Sequence, residues 1–150
     1  MEFIEIVSLK QVKKKRQSKK LPEKISSLYQ IAIWLSDEIG NSSQENLVAL
    51  YLDHQNNINA YSLISRGSVS ESVANPRDVA QRALMSNASK VLIAHNHPSG
   101  TTNPSASDDN ITTKIENALS LFSIMLLDHL IVSDDHNDFY SYRNNGQLRR

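Results

Sequence analysis

The apolar run VLIA, at residues 91–94, leads directly into the polar segment HNHPSG at residues 95–100. A run this short and this apolar predicts a strand buried inside a sheet, because a buried helix needs about ten residues or more. Pro98 and Gly100 then favour a turn. The polar segment is therefore predicted to lie at the carboxyl end of a buried strand.

Helical periodicity precedes and follows this strand. A first helix is predicted over residues 21–39, where apolar side chains recur three and four positions apart, Pro22 suits the first turn and Gly40 suits the C-terminal cap. Asn75 and Pro76 predict the N-cap and first residue of a second helix. Apolar positions on one face mark the second and third helices: Val79, Ala80, Ala83 and Leu84, then Ile111, Ile115, Ala118, Leu119 and Phe122.

Further apolar runs predict the remaining strands. LVALYLD and INAYSLIS, at residues 47–53 and 58–65, flank the turn HQNN and predict a hairpin with one strand central to the sheet. MLLDHLIV at 125–132 predicts another buried strand, and FYSY at 139–142 a last one. Since 150 residues suffice for one compact domain but not two, the predicted fold is a single α/β domain around one sheet.

Composition narrows the chemistry and the location. The chain has no cysteine, which excludes disulfides, thiolate catalysis and cysteine-ligated zinc, so any metal site must use His, Asp, Glu and water. No stretch approaches the roughly 20 apolar residues needed to cross a bilayer, and the N-terminus lacks the order of a signal peptide. A cytoplasmic protein without membrane contacts is therefore expected.

Positive charge is concentrated in residues 1–20. This leader holds seven basic residues against Glu2 and Glu5, a net charge of +5, whereas the remaining 9 basic and 14 acidic residues give −5. It is predicted to form a short strand followed by a basic loop. The run KKKRQSKK could contact nucleic acid phosphates through residues 10–20, although a short charge run is more often a solvated loop.

His95, His97 and Asp108 are the candidate metal ligands. Residues two apart in a strand point to the same side, so both imidazoles can be directed at one point, with Cα atoms about 6.6 Å apart. Asp108 lies eleven residues after His97, across a loop that can fold back and add a carboxylate oxygen. Two imidazoles and one carboxylate leave a position open for water, as in hydrolytic zinc sites.

Each part of this pattern also has a simpler interpretation. With five histidines in 150 residues, a pair two positions apart arises by chance about one time in eight. Ser105 and Asp108 form an S-x-x-D sequence ahead of a predicted helix, where they can cap backbone N–H groups without any chemistry. The joint spacing, rather than either part, favours the metal site.

This spacing resembles a known family. HNHPSG, followed by Pro104 and Ser105 and then by Asp108, is similar to the metal-binding signature of the JAB/MPN (JAMM) metalloprotease superfamily, in the form carried by RadC-family proteins. The similarity extends over residues 44–148, through ENLVALYLD, RGSVSESVANPRDVAQRAL and LLDHLIV. It implies one JAB/MPN-like domain at residues 21–150, with a mixed, mostly antiparallel sheet, about three helices and a layout like that of cytidine deaminases.

The resemblance assigns roles to individual residues. It makes His95, His97 and Asp108 ligands of Zn²⁺ and makes Ser105 a residue that helps hold the oxyanion. The family's upstream glutamate, the general acid/base, falls best on Glu45, which precedes a predicted buried strand. Glu71, in SESV, is the competing acid.

Supporting roles are open for several neighbouring residues. Asp128 or His129 could support a ligand imidazole by a hydrogen bond to the ring, and Asn96 and Ser99 could hydrogen-bond within the loop or to substrate. For these residues, ordinary structural roles are the favoured interpretation.

The activity implied by the resemblance is that of a zinc-dependent metallopeptidase or isopeptidase-like hydrolase acting on a peptide or isopeptide substrate. The alternative is a nucleic-acid-binding accessory module in DNA repair or recombination, with the basic leader contacting phosphates. Because some family members pair through exposed strands, a homodimer is also compatible with the family. A zinc deaminase is disfavoured, since its P-C-x-x-C ligands cannot exist in a chain without cysteine.

Overall fold

A computed structural model of the chain describes residue 4, residues 21–67 and residues 74–149. The leader strand and basic loop predicted within residues 1–20 lie outside these ranges apart from residue 4, as does Glu71, so the boundary at residue 20 stays a prediction. The elements of the described ranges are α1 (Leu28–Ile39), β1 (Asn46–Leu52), β2 (Ile58–Arg66), α2 (Pro76–Met85), β3 (Lys90–Asn96), α3 (Ala106–Ser120), β4 (Met125–Val132) and β5 (Phe139–Ser141).

The five strands form one sheet in the order β2-β1-β3-β4-β5. Three of the neighbouring pairs are antiparallel, and β3 and β4 are parallel. A parallel pair needs a crossover connection, which α3 provides. The predicted α/β class with a mixed, mostly antiparallel sheet is therefore confirmed.

Both faces of the sheet are covered, and the central strands β1 and β3 are buried along almost their whole length. All seven residues of β1 are buried, as are residues 91–96 of β3. Successive side chains point to opposite faces, so Leu47, Ala49 and Tyr51 pack with α2 and α3. Val48, Leu50 and Leu52 pack with α1 on the other face. The predictions of a buried β3 and of a central hairpin strand are confirmed.

The start of the first helix was predicted incorrectly. α1 begins at Leu28 rather than near Pro22, and Ser27 is its N-cap, with its hydroxyl accepting a hydrogen bond from the Gln30 N–H at 3.1 Å. The preceding residues pair instead with the β1–β2 turn, where the Ile25 N–H donates to the Asn56 carbonyl at 3.0 Å. These contacts between distant parts of the chain outweigh the helical periodicity of the segment.

The second and third helices lie where they were predicted, but two of their apolar positions are exposed. Asn75 caps α2 by accepting from the Arg77 N–H at 2.9 Å, and Pro76 is the first helical residue. Leu84 is 47% exposed and Phe122, beyond the end of α3, is 50% exposed. Both side chains line an open groove between α2 and α3, because they lie at the edge of the apolar stripes.

Gly40 caps α1 as predicted, although the reason for glycine is different. Its φ angle is −62°, so no left-handed conformation is required. A Cβ atom at this position would lie 2.2 Å from the carbonyl oxygen of Ser133, which follows β4. Glycine is required because the end of α1 approaches the backbone of another element.

Replacing Gly40 with alanine should therefore lower the free energy of unfolding by about 3 kcal/mol, since backbone atoms must move to admit the methyl group. Urea unfolding of the variant measures this change. Ser43→Ala, an exposed position in the following loop, is the control and should change stability by less than about 0.5 kcal/mol. Equal stability of Gly40→Ala and the parent would contradict the close approach.

Within the described ranges, no helix combines the length and apolarity required to span a bilayer.

Candidate metal centre

The sequence-predicted ligands meet at the carboxyl end of β3. His95 is a buried residue of this strand, and His97 follows directly after the strand ends. Asp108 lies in the first turn of α3. Glu45 precedes β1, which runs antiparallel to β3 with Leu47 opposite His95. The pairing register therefore places the start of β1, and with it Glu45, beside the two histidines.

The ligand atoms of this group converge. The Nε2 atoms of His95 and His97 are 3.0 Å apart. Nε2 of His97 lies 3.0 Å from Oδ2 of Asp108, and Nε2 of His95 lies 3.2 Å from Oδ1 of the same carboxylate. Glu45 is more distant, with Oε1 4.0 Å from Nε2 of His97. One ligand atom from each of the four residues lies within 4.8 Å of every other, so the group can hold a metal ion.

Distances within the group fit a single small cation. Tetrahedral zinc with ligands at about 2.0–2.1 Å requires ligand atoms about 3.3 Å from one another. The His95, His97 and Asp108 atoms are 3.0–3.2 Å apart, close to this value. Imidazole and carboxylate are ligands for zinc and similar divalent metals, and a chain without cysteine offers no thiolate competitor.

The electrostatic state of the metal-free group also suits a cation. Burial alone would raise the pKa of Asp108, but the neighbouring imidazoles of His95 and His97 outweigh burial and hold this pKa well below the usual range. The hydrogen bond with Asp108 raises the pKa of His97, against the lowering effect of burial. Asp108 is therefore an ionised carboxylate. At a pH near or below the pKa of His97, a metal would have to displace a proton from this imidazole in order to bind.

Ser105 and Asp108 form a complete capping box at the start of α3. The Ser105 hydroxyl accepts from the Asp108 N–H at 3.1 Å, and Oδ2 of Asp108 accepts from the Ser105 N–H at 2.9 Å. The capping interpretation of S-x-x-D is thus confirmed. It does not compete with metal binding, because the cap holds the Asp108 carboxylate in the direction of the two imidazoles.

Asn96 has a structural role. Its side chain is buried, accepts from the Asn46 N–H at 2.8 Å and donates to the Gln44 carbonyl at 2.9 Å. These two contacts lie on either side of Glu45, whose own carbonyl accepts from the Gly67 N–H at 2.7 Å. The middle residue of HNH therefore anchors the main chain that carries Glu45. The partners of Asn96 lie at and just before the start of β1, and not within its own loop as the sequence allowed.

Of the two residues considered as support for an imidazole, His129 contacts a predicted ligand and Asp128 contacts residues at and after the end of β5. Nε2 of His129 lies 2.7 Å from Nδ1 of His95, and Nδ1 of His129 lies 2.5 Å from the Thr112 hydroxyl. Asp128 accepts instead from the Ser141 hydroxyl and from the Arg143 N–H. Burial lowers the pKa of His129 well below its usual value. Sequence reasoning did not identify Thr112.

Known proteins resemble this chain over most of its length. A sequence model described as the RadC-like JAB domain matches residues 25–147. A "UPF0758 protein" of Streptococcus gordonii is 42% identical over 126 residues, which cover 84% of this chain and 55% of the relative. Proteins of the same name from Streptococcus sanguinis and Streptococcus equi subsp. equi are 41% and 40% identical, covering 81% and 83% of this chain and 52% and 54% of their own lengths.

This chain thus spans about half the length of these relatives. The matched region includes all four residues of the candidate metal centre and every described helix and strand. On this match, the chain belongs to the family of RadC-like JAB domains.

Proposed function

We propose that this chain is a zinc-dependent hydrolase of the metallopeptidase or isopeptidase type, which cleaves an amide bond in a peptide or isopeptide substrate. The observation that carries the proposal is the convergence of Glu45 on the group of His95, His97 and Asp108. A site for a structural ion alone has no need of a carboxylate just outside the ligand set.

Zinc is the metal favoured by the ligands. Two imidazoles and one carboxylate, with a fourth position open, form the ligand set of many hydrolytic zinc sites. When bound, zinc lowers the pKa of a coordinated water to about 7 and polarises the substrate carbonyl. His95, His97 and Asp108 would hold the ion.

Glu45 is proposed as the general acid/base. Its Oε1 atom is 4.0 Å from Nε2 of His97, beyond the 3.0–3.2 Å spacing of the three ligands, and its side chain is 22% exposed. A carboxylate in this position can take a proton from the attacking water and return it to the leaving amine. The hydrogen bonds of Asn96 to the main chain beside Glu45 hold it at this distance.

Ser105 is proposed to stabilise the oxyanion that forms on the substrate carbonyl. Its hydroxyl oxygen accepts the capping hydrogen bond from Asp108, and this contact uses a lone pair rather than the hydroxyl hydrogen. The cap therefore does not use the hydroxyl hydrogen of Ser105, which can be donated to a developing negative charge. Ser105 is exposed at the helix start, where a substrate can reach it.

Metal removal tests the proposal directly. The purified chain, incubated with fluorogenic peptides and with lysine-linked isopeptides, should lose hydrolysis by at least about 100-fold when 1,10-phenanthroline is added, because polarisation and the activated water are lost together. Stoichiometric zinc should restore the rate. Hydrolysis that is insensitive to the chelator would contradict the proposal, as would a zinc-loaded protein that cleaves neither substrate class.

A further inference from the structure

The two nitrogens of the His95 ring face different partners. Nε2 faces His97 and Asp108, and Nδ1 faces His129 at 2.7 Å. We propose that Thr112 and His129 are positioning residues, which together fix the tautomer and the orientation of His95 so that its Nε2 lone pair is directed at the metal. This inference rests on the metal site of the proposed function and adds residues that neither motif nor family similarity assigns.

The main-chain carbonyl of Asp108 determines which atoms donate in the hydrogen bonds that link Thr112, His129 and His95. The Thr112 hydroxyl lies 2.6 Å from the main-chain carbonyl of Asp108, which carries no hydrogen, so Thr112 must donate there. A hydroxyl has one hydrogen. Its oxygen must therefore accept at the second contact, from the Nδ1–H group of His129 at 2.5 Å.

The hydrogen on Nδ1 of His129 determines, in turn, which nitrogen of His95 carries a hydrogen. The His129 side chain is fully buried, and within the described residues its ring bonds to Thr112 and His95 rather than to a carboxylate, so a neutral ring is the favoured form. A neutral imidazole has one N–H, which is on Nδ1, and Nε2 therefore carries a lone pair. That lone pair accepts from the Nδ1–H of His95 and leaves Nε2 of a neutral His95 without a hydrogen, as a metal ligand requires.

Packing fixes the ring of His129 in the required plane. The Tyr142 ring stacks on it with a centroid distance of 4.8 Å and an interplanar angle of 8°. The Tyr142 hydroxyl in turn donates to Oδ1 of Asp109 at 2.7 Å. The ring of His129 is therefore held on one face by stacking and at both nitrogens by hydrogen bonds.

The contacts form a closed circuit between two of the ligands. Thr112 lies one turn after Asp108 on α3, His129 lies on β4 and His95 on β3. The circuit runs from the Asp108 carbonyl through Thr112 and His129 to His95, and back from Nε2 of His95 to the Asp108 carboxylate. It thereby sets the separation of two ligands before a metal binds.

Thr112→Val is the sharpest test, because valine keeps the shape of threonine and replaces its hydroxyl with a methyl group that can neither donate nor accept a hydrogen bond. The zinc dissociation constant, measured by competition with a chromophoric chelator, should rise about 10-fold in Thr112→Val and up to about 100-fold in His129→Leu. Thr112→Ser retains the hydroxyl and should stay within about twofold of the parent. Leu119→Val, a buried change at the other end of α3, is the packing control and should leave zinc affinity unchanged.

NMR of the imidazole nitrogens reports the tautomer of His129, which would not change if Thr112 only contributed to packing. In the zinc-free parent, His129 should carry its hydrogen on Nδ1, and Thr112→Val should shift it towards Nε2. An Nε2–H tautomer in the parent would overturn the proposal, and so would parent-like zinc affinity in both Thr112→Val and His129→Leu. A parent chain that binds no zinc would instead overturn the metal site itself.

Discussion

The Glu45→Gln variant is expected to hydrolyse its substrate about 100- to 10,000-fold more slowly than the parent while keeping its zinc. Glutamine matches glutamate in size but cannot accept a proton from water and return it to the leaving amine. Zinc content should not change, because Oε1 of Glu45 lies 4.0 Å from Nε2 of His97, outside the spacing of the three proposed ligands. Rate measurements under saturating substrate, with metal analysis of the same sample, test both halves.

Two variants make this result specific. Glu23→Gln, at an exposed position ahead of α1, is the matched control and should retain the parental rate. Glu71→Gln examines the competing acid, which lies outside the described residues. A large loss in Glu71→Gln combined with a parental rate in Glu45→Gln would transfer the role of general base to Glu71.

Local signals in the sequence predicted most of the fold correctly. The apolar run of β3 and the Asn75–Pro76 start of α2 depend on neighbouring residues, and both lie where they were predicted. The start of α1 depends instead on pairing between residues 23–25 and the β1–β2 turn, more than thirty positions away. A periodic pattern cannot reveal such a contact, and the prediction was wrong by about two turns of helix.

In the candidate site, too, contacts between residues close in sequence were predictable and contacts between distant residues were not. His95, His97 and Asp108 are near each other in sequence, so strand alternation and one loop sufficed to predict that they meet. The approach of Glu45 depends on the register between β1 and β3, which the sequence does not specify, so Glu45 was assigned only through the family similarity. The contacts of Thr112 and of Asn96 cross 17 and 50 positions; no motif includes Thr112, and the motif that includes Asn96 does not reveal its partner on β1.

His97 is the proposed ligand whose removal gives the clearest test of the metal centre. His95 is fully buried and bonded to His129, so its truncation would also leave Nε2 of His129 unpaired in the core. The His97 side chain is 13% exposed at the end of β3, and its loss disturbs the packing less. His136→Ala is the control, because it removes a surface imidazole that pairs with Asp37.

The His97→Ala protein is expected to retain less than about a tenth of the one zinc ion per chain expected in the parent, since two ligands remain of the three that a tetrahedral hydrolytic site requires. Metal analysis after dialysis measures this loss, and His136→Ala should match the parent. Thermal unfolding supplies an independent measure: zinc at about 100 times its dissociation constant should stabilise the parent by about 2.7 kcal/mol. The same zinc concentration should leave the stability of His97→Ala unchanged. Equal zinc content in His97→Ala and the parent would contradict the assignment of His97, because a true ligand cannot be removed without loss of affinity.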